Sequence, residues 1–280
     1  MEEWHLKVPK IIHFYWGMSI LPYLRYKTIE TFIHYNPDWK VNLWYPKTKG
    51  PIGSWPQEGD QSCYRVTCTD YFPELLKLPI DRYEYDVSEY GFNNNMSEIH
   101  KSDFMRYIIL ASFGGVWSDM DVLYFNPITD LIVNNPKYGN TDTFVCITPY
   151  GHSIGFLMAG VDNKFFEKIA SLSRTIYNPN SYQGIGVIML DSYFGTVTKI
   201  QRVSSVVNIG MEAVYSYNAN TQVEILGNKP PVFTNGSIGC HWYGGHRMWD
   251  KFMKETDGGL RNVPDSIIGN LLKNGMDSGR

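Results

Sequence analysis

The sequence predicts an α/β protein, and two segments indicate this most directly. Residues 11–16 alternate between two faces, which is the period of two expected of a strand. The residues before Gly114 and Gly115 predict a helix that begins at one of two serine caps, Ser97 or Ser102, and the two glycines are those that a helix end favours. A strand rich in β-branched and aromatic residues follows and closes at Asn126. A helix that leads into a buried strand is typical of α/β folds.

Length and composition limit the class of protein. A chain of 280 residues favours one domain, residues 1–280, with a substantial core. The 25 basic and 28 acidic residues nearly balance, so the chain lacks the basic field of a general nucleic-acid binder. The cysteines have neither a zinc spacing nor the density of a disulfide framework, so we expect reduced thiols at Cys63, Cys68, Cys146 and Cys240. Without a long apolar run or an apolar N-terminal segment, we expect a soluble, cytoplasmic protein with no transmembrane segment.

An acidic pair follows the predicted helix. Asp119 and Asp121 are two residues apart, so in an extended strand both carboxylates point to the same side. Like charges on one face repel unless a cation lies between them, and hard oxygen ligands favour Mg²⁺ or Mn²⁺. Such an ion can neutralise a diphosphate leaving group, which is the chemistry of a transferase that uses a nucleotide-activated substrate. The alternative is an edge strand whose aspartates face solvent, because the bare pair is weakly specific.

The predicted helix carries a second polar group. Asp103, Arg106 and Tyr107 are spaced i, i+3 and i+4, so they share one stripe of the helix, whereas the other faces are mostly apolar. The stripe predicts either a ligand-binding group or an ordinary i, i+3 salt bridge.

Three motifs resemble those of the glycosyltransferases whose sugar-binding region contains a DXD motif. That group includes the yeast initiation-specific α-1,6-mannosyltransferase, bacterial capsular-polysaccharide transferases and, more distantly, the clostridial glucosylating toxins. The matching segments are Val8-Pro9-Lys10-Ile11-Ile12-His13-Phe14-Tyr15-Trp16-Gly17, Asn36-Pro37-Asp38-Trp39-Lys40-Val41-Asn42-Leu43-Trp44, and Ser102-Asp103-x-x-Arg106 followed by Gly114-Gly115-Val116-x-x-Asp119-x-Asp121.

The resemblance implies a GT-A fold, a Rossmann-like mixed central sheet flanked by helices in a single domain. Residues 1–125 would form the nucleotide-sugar-binding half, and residues 126–280 the acceptor-side half with a C-terminal loop for the metal and the diphosphate. The resemblance also implies Mn²⁺ or Mg²⁺ as cofactor, a nucleotide-sugar donor, and transfer with retention at the anomeric carbon.

Roles for individual residues follow from the same resemblance. Trp16 would stack on the base, although a core tryptophan is the alternative. Asp119 and Asp121 would bind the metal and the sugar. Asp103, Arg106 and Tyr107 would contact the donor, with Asp103, Arg106 and Asp121 as the catalytic residues.

His241 is the candidate third metal ligand, and His246 or Arg247 would hold the β-phosphate. Gln183 would donate a hydrogen bond to donor or acceptor hydroxyls, although a helix start without a ligand is an equal alternative.

The function predicted is that of a metal-dependent retaining hexosyltransferase acting on a glycan or other hydroxyl acceptor, as in polysaccharide biosynthesis. UDP-glucose and UDP-galactose are the favoured donors, and GDP-mannose comes third. There are two alternatives. One is a metal-dependent phosphohydrolase that uses the same carboxylates, and the other is a non-catalytic carbohydrate-binding module built on the aromatic residues. The acceptor and the oligomeric state are not indicated by the sequence.

Overall fold

In a computed structural model of the protein, the described residues form two β-sheets flanked by helices. The structure describes residues 7–17, 20–51, 68–133, 138, 141–194, 206–246, 248–259 and 263–274. Cys63 and Arg247 lie outside these residues. The strands are β1 (Ile11–Tyr15), β2 (Lys40–Pro46), β3 (Asp81–Tyr85), β4 (Gly115–Ser118), β5 (Val122–Tyr124), β6 (Thr143–Thr148), β7 (Gly151–Ala159), β8 (Val207–Ile209) and β9 (Gly239–His241).

The main sheet is mixed and has seven strands in the order β3-β2-β1-β4-β7-β6-β8. Strands β3, β2, β1 and β4 are parallel, whereas β7 is antiparallel to both β4 and β6. The second sheet contains only β5 and β9, which pair antiparallel. The predicted fold class, an α/β fold with a mixed central sheet flanked by helices, is confirmed by this architecture. Because β1 and β4 are adjacent and parallel, the residues that follow them meet at one edge of the sheet.

Eight α-helices connect or follow these strands in the described part of the chain. They are α1 (Tyr23–Tyr35), α2 (Phe72–Leu75), α3 (Glu98–Phe113), α4 (Asp130–Val133), α5 (Lys164–Ile176), α6 (Val187–Phe194), α7 (Trp249–Thr256) and α8 (Ile267–Asn274). Ser97 caps α3 as predicted, because its hydroxyl accepts a hydrogen bond from the backbone N–H of His100. Gly114 ends α3 at a φ of 62°, a conformation that glycine adopts without strain. None of the described helices is long and apolar enough to cross a membrane.

The alternation predicted for β1 places its residues in two different cores. Ile12 and Phe14 pack with α1 on one face of the main sheet. Tyr15 lies on the other face, in the cluster that also contains Phe104 and Leu110 of α3. A third cluster packs α7 and α8 against the small sheet around Trp242 and Trp249. Helix α3 is buried on most of its sides, so it buries polar side chains as well as apolar ones.

The first turn of α3 carries a buried ion pair that holds three chain segments together. Lys101 Nζ lies 2.8 Å from Glu98 Oε1, and both side chains are almost fully buried. Lys101 also donates to the carbonyl of Thr48 at 2.6 Å, just after β2. Glu98 accepts a hydrogen bond from the hydroxyl of Tyr15 at 2.5 Å and another from the backbone N–H of Gly50. The pair therefore fixes the start of α3 to β1 and to the chain that leaves β2.

The acidic pair is not part of one continuous strand, so that prediction is wrong. Strand β4 ends at Ser118 in the main sheet, and β5 begins at Val122 in the small sheet. Asp119 and Asp121 occupy the turn between the two sheets. Their carboxylates converge because the chain bends there, and not because of the period of two of a strand.

Candidate functional site

Two carboxylates and an imidazole converge where the two sheets meet. Asp119 follows β4, Asp121 precedes β5, and His241 ends β9, the partner of β5. One ligand atom from each of these residues lies within 4.8 Å of the others. The pairing of Val122 with His241 in the small sheet brings the histidine beside Asp121. The candidate third metal ligand named from the sequence therefore lies beside the acidic pair.

The two oxygens of Asp121 have different surroundings. Oδ2 accepts a hydrogen bond from the backbone N–H of Gly244 at 2.9 Å and lies 3.4 Å from Nη1 of Arg25. Oδ1 lies 3.1 Å from Nε2 of His241, but it has no hydrogen-bond partner among the described residues. Burial raises the pKa of Asp121, but the charges of His241 and Arg25 outweigh it and lower the pKa well below its usual range. Asp121 is therefore an ionised carboxylate with one oxygen held and the other available.

This donor set fits a divalent cation. A buried carboxylate oxygen without a hydrogen bond costs free energy unless a cation or a donor satisfies it. Here an imidazole nitrogen and a second carboxylate, that of Asp119, lie close to that oxygen. Oxygen ligands with one imidazole suit Mn²⁺ or Mg²⁺.

Arg106 connects the helix α3 to the acidic pair. Its Nη2 donates to Asp103 Oδ1 at 2.7 Å, and its Nη1 donates to the carbonyl of Ile154 at 2.7 Å. The same Nη1 lies 3.3 Å from Asp119 Oδ1. The guanidinium also stacks over the ring of Trp117, 5.1 Å from its centroid. Since each of these contacts restrains it, Arg106 holds Asp103 and Asp119 at fixed positions.

Asp103 is a carboxyl group that titrates near neutrality. Burial raises its pKa to about 7, the charge of Arg106 opposes that shift, and the charge of Asp119 adds to it. The side chain is only 7% exposed and lies in the wall of the cleft described next. It can therefore exchange a proton in the physiological range, and it can accept a hydrogen bond from a hydroxyl when ionised.

Two clefts meet at the acidic pair. The first has a volume of about 240 Å³ and is lined by Trp16, Arg25, Asp103 and Arg106 among others. The second has a volume of about 470 Å³. The walls of both clefts share seven residues: Asp119, Asp121, Ile154, Tyr182, Gln183, Val187 and Gly245. Asp119 and Asp121 thus lie at the boundary between two adjoining spaces, as a reaction between two bound substrates requires.

Trp16 follows the C-terminal end of β1 and forms one end of the first cleft. Its side chain is largely buried, and its Nε1 has no hydrogen-bond partner in the described part of the chain. The same side chain also packs in the core with β1 and α1. Trp16 is therefore both a core tryptophan and part of the wall of the first cleft.

The other residues proposed from the sequence have different positions. Gln183 lines both clefts, and His246 lines the second. Tyr107 does not share the cleft wall with Asp103 and Arg106: it is fully buried, and its hydroxyl donates to the carbonyl of Ile185 at 3.1 Å. On a helix buried on most sides, a position one residue beyond Arg106 faces the core. Arg247 lies outside the described residues.

Sequence reasoning missed two contributors to the site. Arg25, on α1, contacts Asp121 and lies over the rings of Trp16 and Trp242, 5.8 and 4.9 Å from their centroids. Tyr215 lines the second cleft, and its buried hydroxyl has no hydrogen-bond partner within the described residues. Neither residue belongs to a local motif, because their partners are far away in the sequence.

A further pair in the second cleft was also missed. His152 Nδ1 lies 2.6 Å from Asp191 Oδ1, and the same oxygen accepts the backbone N–H of His152 at 2.9 Å. The pair joins the start of β7 to α6 and so fixes one wall of the second cleft. A lone histidine and a helical aspartate 39 residues apart give no sequence signal.

Comparison with known proteins finds a family match for the region around the acidic pair. Residues 22–138 match the family described as glycosyltransferase sugar-binding region containing DXD motif. That range includes Arg25, Asp103, Arg106, Asp119 and Asp121. The resemblance of this region to the glycosyltransferases with a DXD motif, predicted from the sequence, is confirmed by this match.

One curated relative extends the comparison. Inositol phosphoceramide mannosyltransferase 3 of Schizosaccharomyces pombe is 29% identical over 115 residues, which cover 41% of this chain and 24% of the relative. The matched part therefore spans about a quarter of that protein's length.

Several solved glycosyltransferase structures are similar to the chain at low identity. The galactosyltransferase LgtC in complex with donor and acceptor sugar analogues is 13% identical with a TM-score of 0.47, covering 91% of this chain and 98% of the other. The glycosyltransferase GlyE of Streptococcus pneumoniae is 14% identical with a TM-score of 0.46, covering 84% of this chain and 54% of the other.

Proposed function

We propose that the protein is a metal-dependent retaining glycosyltransferase that moves a hexose from a nucleotide diphosphate sugar to a hydroxyl of a glycan. The observation that carries this proposal is the cluster of Asp119, Asp121 and His241 at the boundary of two clefts. A carbohydrate-binding module needs one cleft and no such cluster. A phosphohydrolase needs the cluster but no second organic substrate.

The first cleft has the features of a donor site. We place the base against Trp16, because stacking of a base on an aromatic ring contributes about 1–3 kcal/mol. The diphosphate would then lie toward Asp121. Asp103 would accept hydrogen bonds from the donor sugar, and Arg106 would hold Asp103 in position for this. In this arrangement most contacts to the donor would come from residues before 126, the half proposed for nucleotide-sugar binding, and the rest from later residues such as Gln183 and Gly245.

Asp119, Asp121 and His241 would hold Mn²⁺ or Mg²⁺, and the bound ion would neutralise charge on the departing diphosphate. Asp121 would contribute Oδ1, because Gly244 and Arg25 hold its other oxygen. The imidazole of His241, whose Nε2 lies 3.1 Å from that oxygen, would contribute a nitrogen ligand.

The second cleft has the features of an acceptor site. Its described lining is rich in neutral hydrogen-bonding side chains, such as Ser153, Asn218, Gln222 and Tyr243, and the carboxylates in that lining are those of Asp119 and Asp121. Neutral donors and acceptors of this kind suit the hydroxyls of an uncharged sugar. We therefore place a neutral glycan acceptor in this cleft, with Gln183 between the two substrates.

Transfer with retention at the anomeric carbon is what the family resemblance implies, and two clefts that adjoin at the acidic pair are compatible with it. The acceptor oxygen would form its bond to the anomeric carbon on the face from which the diphosphate oxygen departs. The hydroxyl proton would pass to that departing oxygen, so no separate base is required. Burial of Asp121 and Asp103 would keep water away from the reacting carbon.

The test is a binding and hydrolysis panel with UDP-glucose, UDP-galactose, UDP-N-acetylglucosamine and GDP-mannose, each with Mn²⁺ and with a chelator. The two UDP-hexoses are the favoured donors, and the curated mannosyltransferase relative adds weight to GDP-mannose. We expect one donor to bind by calorimetry in the presence of Mn²⁺ and to be hydrolysed slowly. Failure of every nucleotide sugar to bind to the folded protein would refute the proposal. Hydrolysis of simple phosphodiesters without any nucleotide-sugar binding would favour the phosphohydrolase.

A further inference from the structure

Arg25 occupies a position between the base end and the metal end of the first cleft. It lies on α1, and its side chain is 11% exposed. Its guanidinium lies between the rings of Trp16 and Trp242. A β-carbon added at Gly244 would lie 2.5 Å from its Nη2, so the backbone also closes around it. These contacts hold the guanidinium in one place.

Each carboxylate of the acidic pair already has an arginine beside it. Arg25 Nη1 lies 3.4 Å from Asp121 Oδ2, and Arg106 Nη1 lies 3.3 Å from Asp119 Oδ1. With Asp103 ionised, three carboxylates face two guanidinium groups, so the group carries a formal charge of about −1. A divalent ion alone would reverse that charge to about +1, and repulsion by the two arginines would weaken its binding. The two negative charges of the diphosphate in a nucleotide sugar would restore the balance.

The diphosphate of a donor must pass close to Arg25. If the base lies on Trp16 and the phosphates reach Asp121, the connecting atoms run between two residues that Arg25 contacts directly. A guanidinium binds phosphate oxygens with a paired geometry, and such charged hydrogen bonds are among the strongest in proteins.

We propose that Arg25 makes the binding of the metal ion and the binding of the nucleotide diphosphate depend on each other. Without nucleotide, Arg25 repels the ion and engages one oxygen of Asp121. With nucleotide, it binds the diphosphate, so the same side chain that opposes the ion alone stabilises the complex of both. This inference rests on the proposed function, and it makes Arg25 a donor-binding residue that no local motif identifies.

The test is calorimetry with Mn²⁺ alone, with UDP or GDP alone, and with nucleotide in saturating Mn²⁺, on the wild type and on Arg25→Gln. In the wild type, we expect nucleotide to raise the affinity for Mn²⁺ by about tenfold or more, and Mn²⁺ to raise the affinity for nucleotide by the same factor. In Arg25→Gln, the affinity for Mn²⁺ alone should rise severalfold, whereas the affinity for nucleotide with Mn²⁺ should fall by about tenfold or more. Arg25→Lys should retain part of the coupling.

Arg174→Gln is the matched control, because Arg174 is exposed on α5 and lines neither cleft. It should bind both ligands as the wild type does. Equal losses of Mn²⁺ and nucleotide binding in Arg25→Gln, or unchanged binding of both, would overturn the inference. Opposite changes in the two affinities cannot come from a poorly folded variant. If the wild type binds neither UDP nor GDP with Mn²⁺, the proposed function itself fails, and this is distinct from a failure confined to Arg25→Gln.

Discussion

At the scale of single residues, the site depends on how Asp121 divides its two oxygens. Gly244 and Arg25 hold Oδ2, and Oδ1 faces His241 without a hydrogen bond from any described residue. The acidic pair itself could be read from the sequence. The different surroundings of its two oxygens could not be predicted from the sequence, because they depend on Gly244 and Arg25, which are distant from Asp121 in the chain.

We predict that Asp121→Asn abolishes transfer and metal-dependent donor binding while leaving the fold intact. The amide preserves the shape of the side chain and can still accept the hydrogen bond from Gly244, but it removes the charge that binds the cation. The loss should exceed about a hundredfold in donor hydrolysis, since a charged ligand is lost at the point where leaving-group charge develops. Circular dichroism should match the wild type.

Asp38→Asn, at an exposed carboxylate paired with Lys10, should retain activity. An active variant that still responds to metal would refute the metal site.

Asp103 makes the stability of the metal-free protein depend on pH. Its pKa of about 7 in the fold lies above the value of about 3.9 expected in the unfolded chain. Between these values the folded state binds more protons than the unfolded state, so this group makes the free energy of unfolding fall as pH rises from about 4 to about 7. We predict that Asp103→Asn removes this part of the slope, as measured by urea unfolding in chelator at several pH values. Asp38→Asn should keep the wild-type slope. An unchanged slope in Asp103→Asn would contradict the environment described for Asp103.

At the scale of elements, local patterns predicted helices and strands better than they predicted how strands join sheets. The alternation of β1, the cap at Ser97 and the glycines after α3 are local signals, and the structure contains each of them. The bend at Asp119 is not a local signal, because it arises from the pairing of β5 with β9, more than a hundred residues later. Tyr107 shows the same limit: the spacing placed it on the stripe of Arg106, but the packing of α3 on both sides turned it to the core.

The start of α3 gives a prediction at this scale. Glu98→Gln should destabilise the protein by about 3–5 kcal/mol, because it leaves the ammonium of Lys101 buried without a counter-charge. Glu74→Gln is the matched control: Glu74 and Lys77 have the same i, i+3 spacing, but both side chains are exposed. Its cost should be below about 1 kcal/mol. Chemical denaturation measures both. Equal small losses in the two variants would show that the buried pair does not hold α3 in place.

At the scale of the whole molecule, the candidate site joins the main sheet to the small one. Asp119 follows a strand of the main sheet, whereas Asp121 precedes one strand of the small sheet and His241 ends the other. Occupation of the site should therefore stabilise the entire fold and not only a loop.

We predict that Mn²⁺ with UDP or GDP, whichever binds, raises the unfolding temperature more than the sum of the two shifts produced by each alone. Ligands that bind only the folded state stabilise it by mass action, about 2.7 kcal/mol at a concentration one hundred times the dissociation constant. A 280-residue domain should then unfold roughly 5 °C higher. Thermal unfolding of the wild type and of Asp121→Asn measures this. A similar gain in Asp121→Asn would place the ligands elsewhere.

The pairing of β5 with β9 also has a consequence for how the protein is made. Trp16 and the acidic pair leave the ribosome early, but His241 and Gly244 emerge only when nearly all of the described chain has been synthesised. Until then, the early segments cannot complete the cluster, so a truncated product released from an interrupted round of translation would lack it. The cluster of Asp119, Asp121 and His241 would therefore be completed only after β9 has been synthesised.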